Sequence, residues 1–452
     1  MEDPEPTRAR PLTVAATTTI ARQAEVHRLA VVGREPEIAR SIGTRVCRVW
    51  LRTSRFAAVE AMATATLTLG PDAGAFYDRG WARSATGRPW SALEDFEQAL
   101  ALHQQAGDRA GEAATLNNIG QTYHRLGDRQ RALDHYQQAL PIAREVGSRA
   151  GEAGALSNIG GVYHGLGDRQ RALDHFHQAL PILREVGDRA GEATTLNNIG
   201  GVYDRLGDQQ RALDYYHQAR TIAWEVGDRA GEGTTLNSIG HAYHGLGEWQ
   251  RALGHFHQAL PIAREVGDRA GEAGTLNNIG GVYDRLGDQQ KALDHYYQAL
   301  PIAREVGDRA GEAATLNNIG HAYHRLGDRQ RALDHYHQAL PIARKVGDRI
   351  GEATTLNNIG HAYHALGDRQ KALDHYRQAL PIHREAGNSA GEIHIRYNIA
   401  MIHHSGGDLD QTIQEFEHIV ELERQVDHPD LEDDTAILEH LRREHAETRK
   451  ST

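Results

Sequence analysis

The dipeptide Gly-Glu returns every 40 residues, at Gly111-Glu112, Gly151-Glu152, Gly191-Glu192, Gly231-Glu232, Gly271-Glu272, Gly311-Glu312, Gly351-Glu352 and Gly391-Glu392. A fixed period of that length means one supersecondary unit copied in tandem, which cannot bury its apolar face alone and must stack on its neighbours. Seven near-identical copies fill 111–390, typified by GEAATLNNIGHAYHRLGDRQRALDHYHQALPIARKVGDRI from Gly311. Worn copies flank them: 71–110 keeps Gly80, Gly87 and SALEDFEQAL, and 391–430 keeps Asn398, Gly407 and Phe416. The expected organisation is therefore an array of nine units over 71–430. A degenerate helix pair precedes it at 35–70, a partly disordered N-terminal segment occupies 1–34, and an acidic capping helix and tail occupy 431–452. Length alone, 452 residues, would suggest about three globular domains; the period replaces them with one continuous stack.

The copies carry turn dipeptides twenty residues apart, Gly127-Asp128 and its equivalents at one turn and, in most copies, the equivalent of Gly187-Asp188 at the other. Glycine accepts the left-handed conformation that ends a helix, and aspartate caps the next one. This stop-and-restart predicts an antiparallel pair per unit, helix A of about 17 residues and helix B of about 18. Leu116, Ile119, Tyr123 and Leu126 form the apolar stripe of helix A; Ala132, Leu133, Tyr136, Ala139 and Leu140 form that of helix B. One local rule is broken. Pro141, Pro181, Pro261, Pro301, Pro341 and Pro381 fall inside helix B, where each removes a backbone hydrogen bond, so a kink is expected there.

Leu116-x2-Ile119-Gly120-x2-Tyr123 followed by Ala132-x3-Tyr136-x2-Ala139 resembles the tetratricopeptide repeat, with its alternation of large, small and aromatic positions. The likeness covers roughly 71–426 and departs from the family in its period, 40 rather than 34. Repeats of this length are similar to those of kinesin light chain and partner-of-Inscuteable adaptors, and to arrays attached to bacterial signalling NTPases and transcription regulators. The resemblance implies an all-α, right-handed superhelix, an alpha solenoid of antiparallel helix pairs, with helix A lining its concave groove.

Composition excludes more than it assigns. One cysteine, Cys47, rules out an internal disulfide framework and fits a reducing, cytoplasmic compartment. Net charge is −11, which argues against nucleic-acid binding through a bulk field, and no run of 18 apolar residues predicts a membrane span. The acidity gathers at one end, through Asp408, Asp410, Glu415, Glu417, Glu421, Glu423, Asp427 and Asp430. No Gly-Lys pair occurs, so a phosphate-cradling loop of the G-x4-G-K-[ST] type is excluded; neither H-E-x-x-H nor G-x-S-x-G is present. His440, Glu444 and His445 read as part of a charged capping helix. No catalytic residue, metal site or cofactor is expected.

Asparagine is the sharper signal. Asn117-Asn118 recurs as Asn197-Asn198, Asn277-Asn278, Asn317-Asn318 and Asn357-Asn358, with Ser157, Ser238 and Tyr397 as single replacements. Positions 117, 121 and 124 share one face of helix A. In the resembling families that face lines the groove, and its amides hydrogen-bond the main chain of an extended peptide. The alternative is that asparagine bridges adjacent helices inside the stack. Column 121 changes between copies (Gln121, Gly161, Gly201, His241, Gly281, His321, His361), as a modular binding face would, though column 137 on helix B varies as well. Arg285, His321, His324, Arg325, His361 and His364 are the side chains expected to select a ligand. The pairs His241/His244, His321/His324 and His361/His364 stand one turn apart and could meet a metal or sense pH, but zinc ordinarily needs further ligands.

The expected function is that of a non-catalytic, monomeric scaffold whose partner is a protein or peptide rather than nucleic acid or membrane. The alternative is the sensor array of a bacterial signalling or transcription-regulator system.

Overall fold

In the computed structural model, residues 14–451 are described, with side chains from 19 to 447. Residues 1–13 and 452, which include much of the stretch expected to lack order, lie outside the described residues. All regular structure among the described residues is α-helical, in 22 helices, and within each of two compact units consecutive helices pack against each other. The fold is an all-α solenoid. Its contacts cluster into two compact units, 1–246 and 247–452.

The first unit holds α1 (Val14–Val32), α2 (Pro36–Arg52), α3 (Phe56–Leu67), α4 (Ala73–Ala85), α5 (Pro89–Ala106) and α6 (Arg109–Arg125). It continues with α7 (Arg129–Glu145), α8 (Arg149–Leu166), α9 (Arg169–Val186), α10 (Arg189–Arg205), α11 (Gln209–Val226) and α12 (Arg229–Gly245). From α4 onward, even-numbered helices are A helices and odd-numbered ones are B helices. α1 occupies residues in which no pattern was legible. Its inward stripe is Ile20, Ala24, His27 and Ala30, spaced 4, 3 and 3, and a histidine with two alanines hides that period. His27 Nε2 is 2.8 Å from Thr66 Oγ1 of α3, which gives the buried ring its partner.

Junctions form as the Gly-Asp dipeptides dictate. Gly127 adopts φ +83° and Asp128 accepts from the Arg131 amide at 3.0 Å; Asp188 likewise accepts from Gly191 at 2.9 Å. Each such cap is worth about 1 kcal/mol. Between them the core repeats: Leu173 and Phe176 of α9 meet Leu196, Ile199 and Val202 of α10 and Ile222 of α11. The constant glycine of helix A lets the pair approach, because a Cβ on Gly200 would lie 2.6 Å from the Tyr216 ring.

The second unit contains α13 (Trp249–Val266), α14 (Arg269–Arg285), α15 (Gln289–Glu305), α16 (Arg309–Arg325) and α17 (Arg329–Val346). It ends with α18 (Arg349–Ala365), α19 (Arg369–Glu385), α20 (Ser389–Ser405), α21 (Leu409–Val426) and α22 (Leu431–Ser451). Its largest core joins Leu333 and Tyr336 of α17 to Leu356 and Ile359 of α18, Tyr376 of α19 and Ile399 of α20. α17 does not end at Pro341 but runs through it to Val346. Pro341 and His337, whose carbonyl loses its backbone donor, are both exposed, so water can take the place of that bond. In the first unit Thr221 replaces the proline, and its hydroxyl donates to the His217 carbonyl at 2.9 Å. α22 packs on α21 through Leu438 and Leu441, closing the last apolar face.

The Gly-Glu period is itself an interhelical clamp. Glu152, mostly buried, accepts from Arg144 Nε at the end of α7 (2.8 Å) and from Arg149 Nη1 one turn back (2.6 Å). Arg149 reaches on to Glu185 of α9 at 2.7 Å. The Arg144 hydrogen bond leads in holding the Glu152 carboxyl below the usual carboxylate range, against its burial. The full set recurs at Glu192, Glu272 and Glu352, and its Arg304 and Arg309 bonds recur at Glu312. It is incomplete where Trp224 stands in the arginine column and where Lys345 stands opposite Arg309.

Candidate functional site

Within the second unit, the asparagines of successive A helices form a ladder. Asn318 Nδ2 donates to Asn277 Oδ1 at 3.2 Å, Asn358 Nδ2 to Asn317 Oδ1 at 3.1 Å, and Asn398 Nδ2 to Asn357 Oδ1 at 3.2 Å. All are half-buried. The bridging alternative is thus realised, and the ladder explains the doubled motif: one column accepts, the next donates. An amide has more capacity than one bond uses. The carbonyl of Asn317 and the NH2 of Asn318 are engaged in the stack, which leaves the NH2 of Asn317 and the carbonyl of Asn318 outside the ladder bonds.

The first unit carries the ladder with interruptions. Asn158 Nδ2 donates to Asn117 Oδ1 at 3.0 Å, and Asn118 is buried. Ser157 turns instead to Thr195 Oγ1 at 3.2 Å. Asn197 and Asn198 are half-buried, and the buried Oδ1 of Asn197 has no hydrogen-bond partner, because the next A helix offers Ser238, which bonds its own Thr234 carbonyl at 3.2 Å.

The side chains expected to select a ligand divide. His321 and Arg325 are held by the preceding repeat: His321 Nδ1 is 3.1 Å from Asp284 Oδ2, and Arg325 Nη1 donates to the Asp284 carbonyl at 2.7 Å. Burial pushes the Asp284 carboxyl up, but the His321 bond and the Arg325 charge hold it below the usual range. His361 is edge-on to Tyr376 (ring centroids 5.6 Å), close to His394 (6.0 Å), and 3.3 Å from Asn398 Nδ2. Burial first, then His394, His324, His364 and His321 around it, push its pKa down to about 4. His324 and His364 are half-buried, while Arg285 is exposed at the end of α14. The structure therefore brings His321, His324, His361, His364 and His394 into one neighbourhood next to the ladder. Among the described residues no group of three or more His, Cys, Asp or Glu is placed to hold a metal ion, and no helix is long and apolar enough to cross a membrane.

One recurring constellation joins residues that no sequence motif links. Tyr323 is stacked on His335 (5.6 Å, 3°), and the Arg331 guanidinium lies over the same tyrosine ring at 5.5 Å. The same trio recurs as Tyr123/His135/Arg131, Tyr163/His175/Arg171 and Tyr363/His375/Lys371. Column 137 connects one stack to the next, as in Tyr297, whose hydroxyl is 3.1 Å from Tyr323 OH and 3.2 Å from His335 Nε2. The signal was present in the phase shared by columns 123, 131 and 135; it was hidden because the three are not consecutive on one helix.

Models of the tetratricopeptide repeat match residues 75–145, 151–223, 231–305, 311–385 and 393–426. No curated protein sequence matches the chain. Among solved structures, the apo quorum sensor NprR from B. thuringiensis is similar at 14% identity and a TM-score of 0.54, over 81% of this chain and 99% of that one. A Rap protein complexed with competence and sporulation factor is similar at 14% identity and a TM-score of 0.51, over 92% and 99%. A signal transduction ATPase with a tetratricopeptide repeat sensor from Pyrococcus horikoshii is similar at 14% identity and a TM-score of 0.59, over 83% of this chain and 57% of that one. With the repeat models matching most of its length and the solved relatives sharing its fold, this chain belongs to the tetratricopeptide repeat family.

Proposed function

We propose that the chain is a non-catalytic scaffold that captures an extended peptide or a flexible protein segment along its A helices. The observation that carries this reading is the ladder: the Asn317-Asn318 step leaves one amide donor and one carbonyl acceptor, the pair that an extended backbone requires. Column 121 supplies the changing part, from Gly161, where an added Cβ would meet nothing within 4 Å, to His321 and His361. The test is capture of a partner on the immobilised chain, mapping of the bound segment, and then Asn317→Ala, Asn318→Ala, Asn357→Ala and Asn358→Ala together. Binding should be lost while the helical circular dichroism signal stays; unchanged affinity would sink the reading.

The second reading is a sensor array of a bacterial regulatory system that responds to a peptide. It is favoured by the nature of the fold relatives, a quorum sensor and a Rap protein complexed with a sporulation factor. Co-purification with an NTPase or a DNA-binding partner would support it over a free-standing adaptor.

A further inference from the structure

The worn repeat at the start of the array differs from the copies in the columns that face the groove. Where the next unit has Asn117, Asn118 and Gln121, α4 has Tyr77, Asp78 and Trp81. These three line a cavity of about 390 Å³ bounded by α2, α4, His103 near the end of α5 and Gly111 and Ala114 at the start of α6, all within the first unit. The ladder is replaced here by a concave apolar site, a size and shape suited to a small molecule rather than to a run of peptide backbone.

Its walls have two distinct characters. Leu51, Tyr77 and Trp81 supply the apolar part, and Tyr77 is fixed edge-on against Phe96 at 6.0 Å. Arg48 and Arg52, one turn apart on α2, line the rim, are exposed, and form no ion pair or hydrogen bond among the described residues. That sets them apart from Arg79 and Arg83 nearby, which both bind Asp95. At the base lies Asp78, 8% exposed, with the buried Cys47 thiol bonded to it. Burial pushes the Asp78 carboxyl up to about 7, so near neutral pH it can be protonated and donate a hydrogen bond instead of repelling an anion.

We propose that this cavity binds a small organic acid, its apolar body between Leu51, Tyr77 and Trp81 and its anionic group facing Arg48 and Arg52. Arg52 and Arg48, the latter within reach of the Asp78 charge but in no ion pair with it, stand beside aromatic surface and are complementary to a single negative charge on an apolar frame. The site is separate from the asparagine ladder of the second unit and does not depend on it.

Titration calorimetry of the full chain with 2-naphthoate, and with 2-naphthamide as the neutral isostere, tests this. Saturable one-site binding of the acid is expected, with the amide at least ~10-fold weaker. Arg48→Ala with Arg52→Ala should weaken the acid by at least ~10-fold and leave the amide unchanged, and Trp81→Ala should weaken both. Both arginines are exposed, so helicity and Tm should be retained in that variant. The Asn317, Asn318, Asn357 and Asn358 alanine variant should bind 2-naphthoate as the parent does, which separates this result from the fate of the ladder reading. Equal affinity for acid and amide, an unaltered affinity after loss of both arginines, or no saturable binding would each overturn the proposal.

Discussion

Arg184 Nε donates to Glu192 Oε1 across 2.7 Å and so ties the last turn of one B helix to the first turn of the next A helix. Glu192 is almost wholly buried, whereas the Arg184 side chain is about half exposed. Removing the glutamate therefore strands no buried cation. Glu192→Ala should cost about 1 to 2 kcal/mol, below the cost of breaking a fully buried pair. Two natural gaps allow the reverse experiment: Trp224→Arg and Lys345→Glu each restore a missing partner and should add at most about 1 kcal/mol. Urea denaturation of the variants, read as the shift in midpoint, checks all three.

Two glycines of A helices, Gly320 of α16 and Gly161 of α8, should respond oppositely to the same change. A Cβ at Gly320 would lie 2.5 Å from the Tyr336 ring, so Gly320→Ala should destabilise by about 1 to 3 kcal/mol. Gly161, with nothing within 4 Å, should gain up to about 1 kcal/mol as alanine from helix propensity alone. Thermal denaturation distinguishes them by sign.

Asn197 marks a place where the ladder can be mended. Ser238→Asn would give its unpartnered Oδ1 a donor, and a restored buried hydrogen bond contributes about 0.5 to 1.5 kcal/mol. A lower Tm in Ser238→Asn would show that the register of the ladder does not extend to this step.

Acid should weaken the second unit through His361. Its folded pKa is about 4, below the ordinary value of 6.5, so between those limits the unfolded chain binds the extra proton. Stability is then complete above about pH 6.5 and falls as pH drops towards 4. His361→Gln should flatten that part of the Tm-versus-pH curve; a curve of unchanged slope would refute the assignment.

Glu423 works in the other direction. Its side chain is fully buried, with His428 Nδ1 3.5 Å from Oε1, and burial, then the charge of and a shared hydrogen bond with Asp434, and Asp430 nearby, raise its pKa to about 7. Here the folded chain holds the extra proton, so stability is greatest below about pH 4.5 and is lost as pH rises to 7. Glu423→Gln should raise Tm at pH 8 and change it little at pH 4; calorimetry at the two pH values decides.

The array was legible because its signals are local and repeated. Gly127-Asp128 names a junction by itself, and Leu116, Ile119 and Tyr123 name a face. The asparagine columns were legible as a face but not as a bond, because Asn318 finds Asn277 only across a stack of helices. Asp284 shows the same limit: nothing near it in the chain says that His321 and Arg325 of the following repeat will claim it. α1 was missed for a chemical reason, since its buried stripe includes His27, which is apolar only in company with Thr66. The cavity at Tyr77, Asp78 and Trp81 was missed because a worn copy reads as noise until the columns are superposed on their neighbours.

The clamp at Glu152, Glu192, Glu272, Glu312 and Glu352 has one further consequence. Because these junctions use the same atoms, the trailing edge of one copy is a valid seat for the leading edge of another. A gene encoding this chain can lengthen or shorten by whole copies through recombination between like segments, and each product keeps intact seams. The reach of its inner face is then a heritable length, adjustable in uniform steps, with no new interface to evolve at any of them.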